Sequence, residues 1–142
     1  MIAVDTNVMI YAHRAEFDEH PACLARLKEL AESPLPFAVP VFCVSEFLRV
    51  VTHPKVFDPP SARTDAWGFL EALLGSPSAR LIGPGSRFMT ELRTLMEDAN
   101  VSGNLVFDAQ IVAVLVEHGV NRILSADRDM RRFSAVEVLN PV

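Results

Sequence analysis

The chain reads as an α/β sandwich built around a mainly parallel sheet. Short apolar runs of strand length alternate with longer stretches of helical periodicity from one end to the other. Two aspartates, Asp5 and Asp127, stand just past the ends of such strand-like runs, which is where open parallel sheets gather their ligands. The 142 residues, half of them hydrophobic, suit a single domain over residues 1–142 with one core.

The elements follow in order. Ile2–Asp5 is a short buried strand, and Asn7–Ala12 continues it into a helical turn. His20–Ala31 is an amphipathic helix with Cys23, Leu24, Leu27 and Leu30 on one face. Phe37–Val39 is a second strand, and Pro40 opens a helix running to about Thr52, since proline is tolerated in a first helical turn. His53–Pro60 is a loop. Ser61 is expected to cap a helix with an Ala62, Ala66, Phe69, Leu70 and Leu73 stripe that Gly75 stops. Arg80–Ile82 is a third strand, leading through Gly83-Pro84-Gly85 to Ser86, the expected cap of a helix with Phe88, Leu92, Leu95 and Met96 inward. Asn100–Gly103 is a turn. Asn104–His118 is a very apolar helix ended by Gly119. Asn121–Leu124 is a fourth strand, Asp127–Phe133 a short helix, and Val136–Leu139 a last strand.

Bulk properties exclude several classes. No window reaches the ~18 consecutive apolar residues of a membrane span. No basic region followed by an apolar run opens the chain, so a cytoplasmic protein with no membrane partner is expected. Cys23 and Cys43 form no zinc spacing and read as buried thiols. His13, His20, His53 and His118 are scattered and read as surface or loop residues. The formal charge of −5 is unusual for a protein that handles nucleic acid. Bound divalent cations offset such charge, and the 11 arginines against 2 lysines supply forks suited to phosphate.

Four acids stand out. Asp108 and Gln110 are the only polar side chains in LVFDAQIVAVLV, residues 105–116, and a carboxylate in so apolar a helix needs a partner or a metal. Glu46 repeats the pattern in VFCVSEFLRVV. Asp5 and Asp127 come from strand ends. Each also has a plain structural reading: Asp5 and Asp127 as helix N-caps, Glu46 paired with Arg49 one turn on, and Asp108 hydrogen-bonded by Asn104. Together they form an all-oxygen donor set of the kind that Mg²⁺ or Mn²⁺ prefers. Clustered carboxylates repel one another, and a divalent ion removes that penalty.

These residues carry a family resemblance. Ile2-Ala3-Val4-Asp5-Thr6-Asn7, Ser45-Glu46-Phe47, Gly103-Asn104-Leu105-Val106-Phe107-Asp108-Ala109 and Ser125-Ala126-Asp127-Arg128-Asp129 resemble, in order and over essentially the whole chain, the four motifs of PIN-domain ribonucleases of the VapC toxin type. Ser125 departs mildly from the usual threonine and keeps the hydroxyl. The resemblance implies a PIN-like three-layer sandwich with a parallel five-stranded sheet. It implies RNA cleavage dependent on Mg²⁺ or Mn²⁺, in which a metal-activated water leaves a 3′-hydroxyl and a 5′-phosphate. Asp5, Glu46, Asp108 and Asp127 would be the catalytic acids and metal ligands, joined by Asp129. Thr6, Asn104 and Ser125 would orient them, and Arg49, Arg128, Arg131 and Arg132 are candidates for RNA phosphate contacts. A VapB-like antitoxin as inhibitor and a homodimer are further implications.

Two other readings stay open at this level. A haloacid-dehalogenase-like phosphatase also starts from an aspartate after its first strand, but wants a second two positions on, where this chain has Asn7. A non-catalytic metal- or phosphate-binding module, such as a receiver domain, wants an early acidic pair and a late lysine, whereas the last lysine here is Lys55.

Overall fold

A computed structural model describes residues 1–142. Five strands, β1 (Ile2–Val4), β2 (Phe37–Pro40), β3 (Ala79–Ile82), β4 (Arg122–Leu124) and β5 (Glu137–Leu139), form one sheet of order β3-β2-β1-β4-β5. Every pairing is parallel, with Ala3 opposite Ala38 on one side and Ile123 on the other. Six helices complete it: α1 (Thr6–His13), α2 (His20–Glu32), α3 (Val41–Val51), α4 (Arg63–Leu74), α5 (Phe88–Ala99) and α6 (Leu105–Glu117). A 3-10 turn spans Arg128–Arg132. No helix is long and apolar enough to cross a membrane.

The chain lays β2 and β3 on one side of β1, then returns to place β4 and β5 on the other. Right-handed crossovers put α1–α4 on one face and α5 and α6 on the other. The packing divides the same way, α1 against α2 and α3, α3 against α4, and α5 against α6. Reversal of direction also opens a crevice beyond the carboxyl ends of β1 and β4, the expected ligand position in a doubly wound sheet.

Burial explains why the central strands read as continuous apolar runs. All of β1 and β2 is buried, while β3 exposes Arg80 and Leu81 as an edge strand. One cluster of 33 buried residues joins the sheet to the helices, with Val112, Ala113, Val114 and Leu115 of α6 fully enclosed. Gly119, at φ 69°, turns the chain out of α6 through a left-handed conformation that a side chain would strain.

Several local expectations change. Ser61 does not cap α4, which starts at Arg63 behind Ala62; its hydroxyl is taken by His13 Nε2 at 2.8 Å and by Arg14 at 3.2 Å. Ser86 does not cap α5 either. Glu117, at the far end of α6, accepts from the Gly85 and Arg87 amides at 2.9 and 3.1 Å and holds that turn from outside. His13 is not a surface residue: it lies half-buried against the Phe47 and Phe69 rings, and burial pulls its pKa down. His20 binds the Tyr11 carbonyl at 2.8 Å. Both cysteines are buried and unpaired.

Candidate active site

The crevice between β1 and β4 has a rigid polar floor. Asp5 is 4% exposed and Ser125 1% exposed. Asp5 Oδ1 accepts the Thr6 amide at 2.8 Å, which caps α1. Its Oδ2 accepts Ser125 Oγ at 2.7 Å and Asn7 Nδ2 at 3.0 Å. Asn7 in turn accepts the Ala126 amide at 2.9 Å through Oδ1. Ser125 Oγ also accepts the Asp127 amide at 3.1 Å. One network thereby locks the turn after β1 to the turn after β4, two segments about 120 residues apart in sequence.

The cap and site readings of the strand-end aspartates are therefore not alternatives. The bonds that cap α1 also aim the Asp5 carboxylate, and Asp127 both caps the 3-10 turn, accepting Asp129 N–H at 2.9 Å, and faces the crevice. Glu46 does not pair with Arg49. It accepts Thr6 Oγ1 at 3.0 Å instead, so α3 is tied to α1 beside Asp5. Asn104 makes no side-chain bond to Asp108, and no protein donor meets that carboxylate. Nor is the first turn of α6 sunk in the core: Leu105, Val106 and Asp108 are half-buried and Phe107 is 62% exposed. The apolar run overstated burial there: enclosure begins at Ala109, one turn into the helix.

Asp5 and Asp108 both feel the charge of neighbouring acids. Burial raises the Asp5 pKa to about 6, with Glu46 and Asp127 adding repulsion. Burial raises Asp108 to about 7, reinforced by repulsion from Asp5, Asp127, Glu46 and Asp129. Asp108 is therefore within electrostatic reach of the other four carboxylates, and Asp5 of Glu46 and Asp127. No three of them close into a ready coordination cage; the like charges stand around the hollow. The donor set suits a hard divalent cation, since every group is an oxygen and the unmet Asp108 oxygens have no protein cation beside them.

Two grooves flank the floor. One, of about 590 Å³, is lined by Ser45, Glu46 and Arg49 of α3 and by Asn104, Phe107 and Gln110 of α6. The other, of about 550 Å³, is lined by Asn7, Tyr11, Ala126, Asp127, Arg128 and Asp129. Arg49 thus shares a groove with Glu46, and Arg128 shares one with Asp127 and Asp129, with Arg131 joining Arg128 in a further recess. Arg132 is turned to Asp129 at 3.5 Å.

Sequence reasoning missed Asn7 and Cys43. Asn7 was visible as the one amide at the start of an otherwise apolar helix, and it is an organiser of the floor. Its amide donates to Asp5, so position 7 does not supply the second acid of the phosphatase reading. Cys43 lies one turn before Glu46 with Sγ 4.0 Å from Asp5 Oδ1; burial, then the Asp5 charge, raises its pKa and keeps it a neutral thiol. Nothing in the sequence marked it.

Comparison with known proteins agrees with this geometry. The model of the PIN domain matches residues 2–136. The chain belongs to the PIN domain family. Among curated relatives, the VapC ribonuclease Mb2897 of Mycobacterium bovis is 37% identical over 142 residues, covering 100% of this chain and 96% of that protein. Ribonuclease VapC25 of Mycobacterium tuberculosis is 36% identical over 141 residues, 99% of each chain. These full-length matches place the protein with the VapC-type ribonucleases of that family, the toxins of toxin–antitoxin pairs. The PIN fold is also that of M. tuberculosis VapC20, a sarcin–ricin-loop-cleaving toxin, with a TM-score of 0.69 at 15% identity over 96% of this chain and 98% of that one. Rickettsia felis VapBC2, solved bound to a promoter DNA fragment, gives a TM-score of 0.68 at 19% identity over 99% and 98%.

Proposed function

We propose that this PIN-domain protein is a divalent-metal-dependent endoribonuclease, the toxin of a toxin–antitoxin pair, with Asp5, Glu46, Asp108 and Asp127 as its working acids and Asp129 assisting. The observation that carries the reading is the clamped Asp5 floor at the carboxyl ends of β1 and β4, with Glu46 tied beside it through Thr6 and Asp108 near enough to feel the charge of the other acids. Mg²⁺ or Mn²⁺ held there would activate a water and offset charge on a phosphoryl oxygen.

The chain's own residues do the rest. Asp5, clamped by Ser125, Asn7 and the Thr6 amide, presents fixed oxygens at the floor. Thr6 steadies Glu46 on the α3 side. Asp108, which no protein donor meets, keeps its oxygens open to a cation at the rim. Arg49 and Arg128 lie where a backbone crossing the acids would bring its phosphates. Arg131 extends that path, and Arg132 serves it less directly because it is turned to Asp129.

The substrate is RNA in the cytoplasm, and the inhibitor is a VapB-like antitoxin. A basic side chain of the antitoxin entering the acidic hollow would meet complementary charge. The protein works as a homodimer. Sequencing of RNA 5′ ends after induced expression tests the reading. Discrete new ends are expected with the intact protein and none with Asp5→Asn. In vitro, cleavage should stop with EDTA and return with Mg²⁺ or Mn²⁺. Equal cleavage by a folded Asp5→Asn variant overturns the site assignment.

A further inference from the structure

We propose that Phe107 is a stacking platform for an unpaired RNA base beside the cleaved bond, with Arg49 on the facing wall holding the adjoining phosphate. The inference rests on the ribonuclease reading above and adds a specificity-determining residue to it.

Asn104, Phe107 and Gln110 recur every three residues on α6 and so form one stripe along the helix. That stripe makes one wall of the larger groove, and Ser45, Glu46 and Arg49 of α3 make the other. Further along the same helix, Ile111 through Leu115 are all at most 2% exposed. Phe107 alone presents a wet phenyl ring, 62% exposed.

The groove around the ring decides between its possible occupants. Phe107 is the only hydrophobic residue lining it, while the rest are a hydroxyl, two amides, a carboxylate and a guanidinium. The apolar core of a protein-docking surface would set further large apolar side chains beside such an anchor, and this groove has none. A ring face, two side-chain amides and an arginine fork instead complement one unpaired nucleotide: its π-face, its hydrogen-bonding edge and its phosphate. Stacking tolerates any base, so Asn104 and Gln110 would set the preference. The location adds the link to chemistry. Glu46 lines the same groove and Asp108 directly follows Phe107, so a base resting on the ring belongs to a nucleotide at the cut.

The test uses single-stranded RNA oligonucleotides carrying the cleavage site mapped by end sequencing, and the same oligonucleotides with an abasic ribose at each flanking position. Phe107→Ala should lower kcat/KM by about 10- to 100-fold, the range for losing one aromatic–base stack. Phe107→Trp should stay near wild type. One abasic position should cost the wild-type enzyme the same factor and cost Phe107→Ala nothing more. In EDTA, 2-aminopurine at that position should be quenched by the wild-type protein and not by Phe107→Ala. Wild-type kcat/KM and unchanged nucleotide preference in Phe107→Ala overturn the proposal, as do losses that simply multiply with the abasic losses. Unchanged kinetics with altered self-association in sedimentation would assign the ring to a protein contact and also overturn it. In each of these cases wild-type cleavage persists, so they are distinct from a wild-type protein that cuts no RNA, which would remove both readings.

Discussion

The floor and the rim of the acidic hollow are built in opposite ways. On the floor, both Asp5 oxygens accept hydrogen bonds from donors in the turns after β1 and β4. On the rim, Asp108 is half-buried with no hydrogen-bond partner, and Glu46 is held by the one Thr6 hydroxyl. Burial raises both Asp5 and Asp108, yet only Asp5 is part of what holds the fold together. A floor substitution therefore strikes folding and chemistry together, whereas a rim substitution separates them.

The largest expected effects test that separation directly. Asp5→Asn and Asp108→Asn should each lower RNA cleavage by about 1000-fold, the scale for losing a positioned acid–base or electrostatic group. Their stabilities should part company. The new amide at position 5 would bring donor against donor toward Asn7 Nδ2, a loss of about 1–3 kcal/mol that offsets the gain from removing a disfavoured charge there. At position 108 no hydrogen bond is lost and a disfavoured charge disappears, so the metal-free variant should melt higher than wild type at pH 8. Thermal melts in EDTA measure both. An Asp5→Asn variant stabilised as much as Asp108→Asn, or a destabilised Asp108→Asn, breaks the distinction.

Acidity gives the next test. In the unfolded chain both carboxyls lose their proton near 3.8, while the folded chain keeps it to about pH 6 at Asp5 and about pH 7 at Asp108. Between those values the folded state binds more protons, so its stability falls as pH rises. Metal-free protein should thus be more stable at pH 5 than at pH 8, with Asp5 alone contributing about 1 kcal/mol of that difference. Adding Mg²⁺ should recover more stability at pH 8 than at pH 5, because ligands bind as carboxylates. Denaturant unfolding at the two pH values, with and without the ion, checks the sign. Metal-free stability that is flat over this range would mean that burial and crowding do not hold protons on Asp5 and Asp108.

Much of the fold was legible because its signals are local. Each strand was visible as a short apolar run between turn residues, and the apolar α6 announced a buried helix. The caps were less legible. Ser61 and Ser86 have the right chemistry at the right place, but His13, Arg14 and Glu117 arrive from elsewhere in the chain and settle those turns. The acids could be picked out singly because each interrupts an apolar context. Their wiring could not be, because Asn7 meets Ala126 and Thr6 meets Glu46 only once the strands are ordered. Asp108 misled in degree: an apolar run reports which residues are apolar, not how many of them the rest of the fold covers.

That wiring supplies the smallest effects, and they again rank floor above rim. Ser125 Oγ donates to Asp5 and accepts the Asp127 amide, so Ser125→Ala loosens two acids at once. Groups that orient ligands typically carry about 10- to 100-fold in metal affinity, and Ser125→Ala should fall in the upper part of that range for Mg²⁺ or Mn²⁺ measured by calorimetry. Thr6→Val keeps the buried volume and the backbone N–H that Asp5 accepts, and removes only the hydroxyl that steadies Glu46. Its loss should stay at about tenfold, and Ser125→Thr, which retains a hydroxyl, should restore most of what alanine removes. Equal losses in Ser125→Ala and Thr6→Val would place Glu46 on the same footing as Asp5 and make the hollow a single rigid shell.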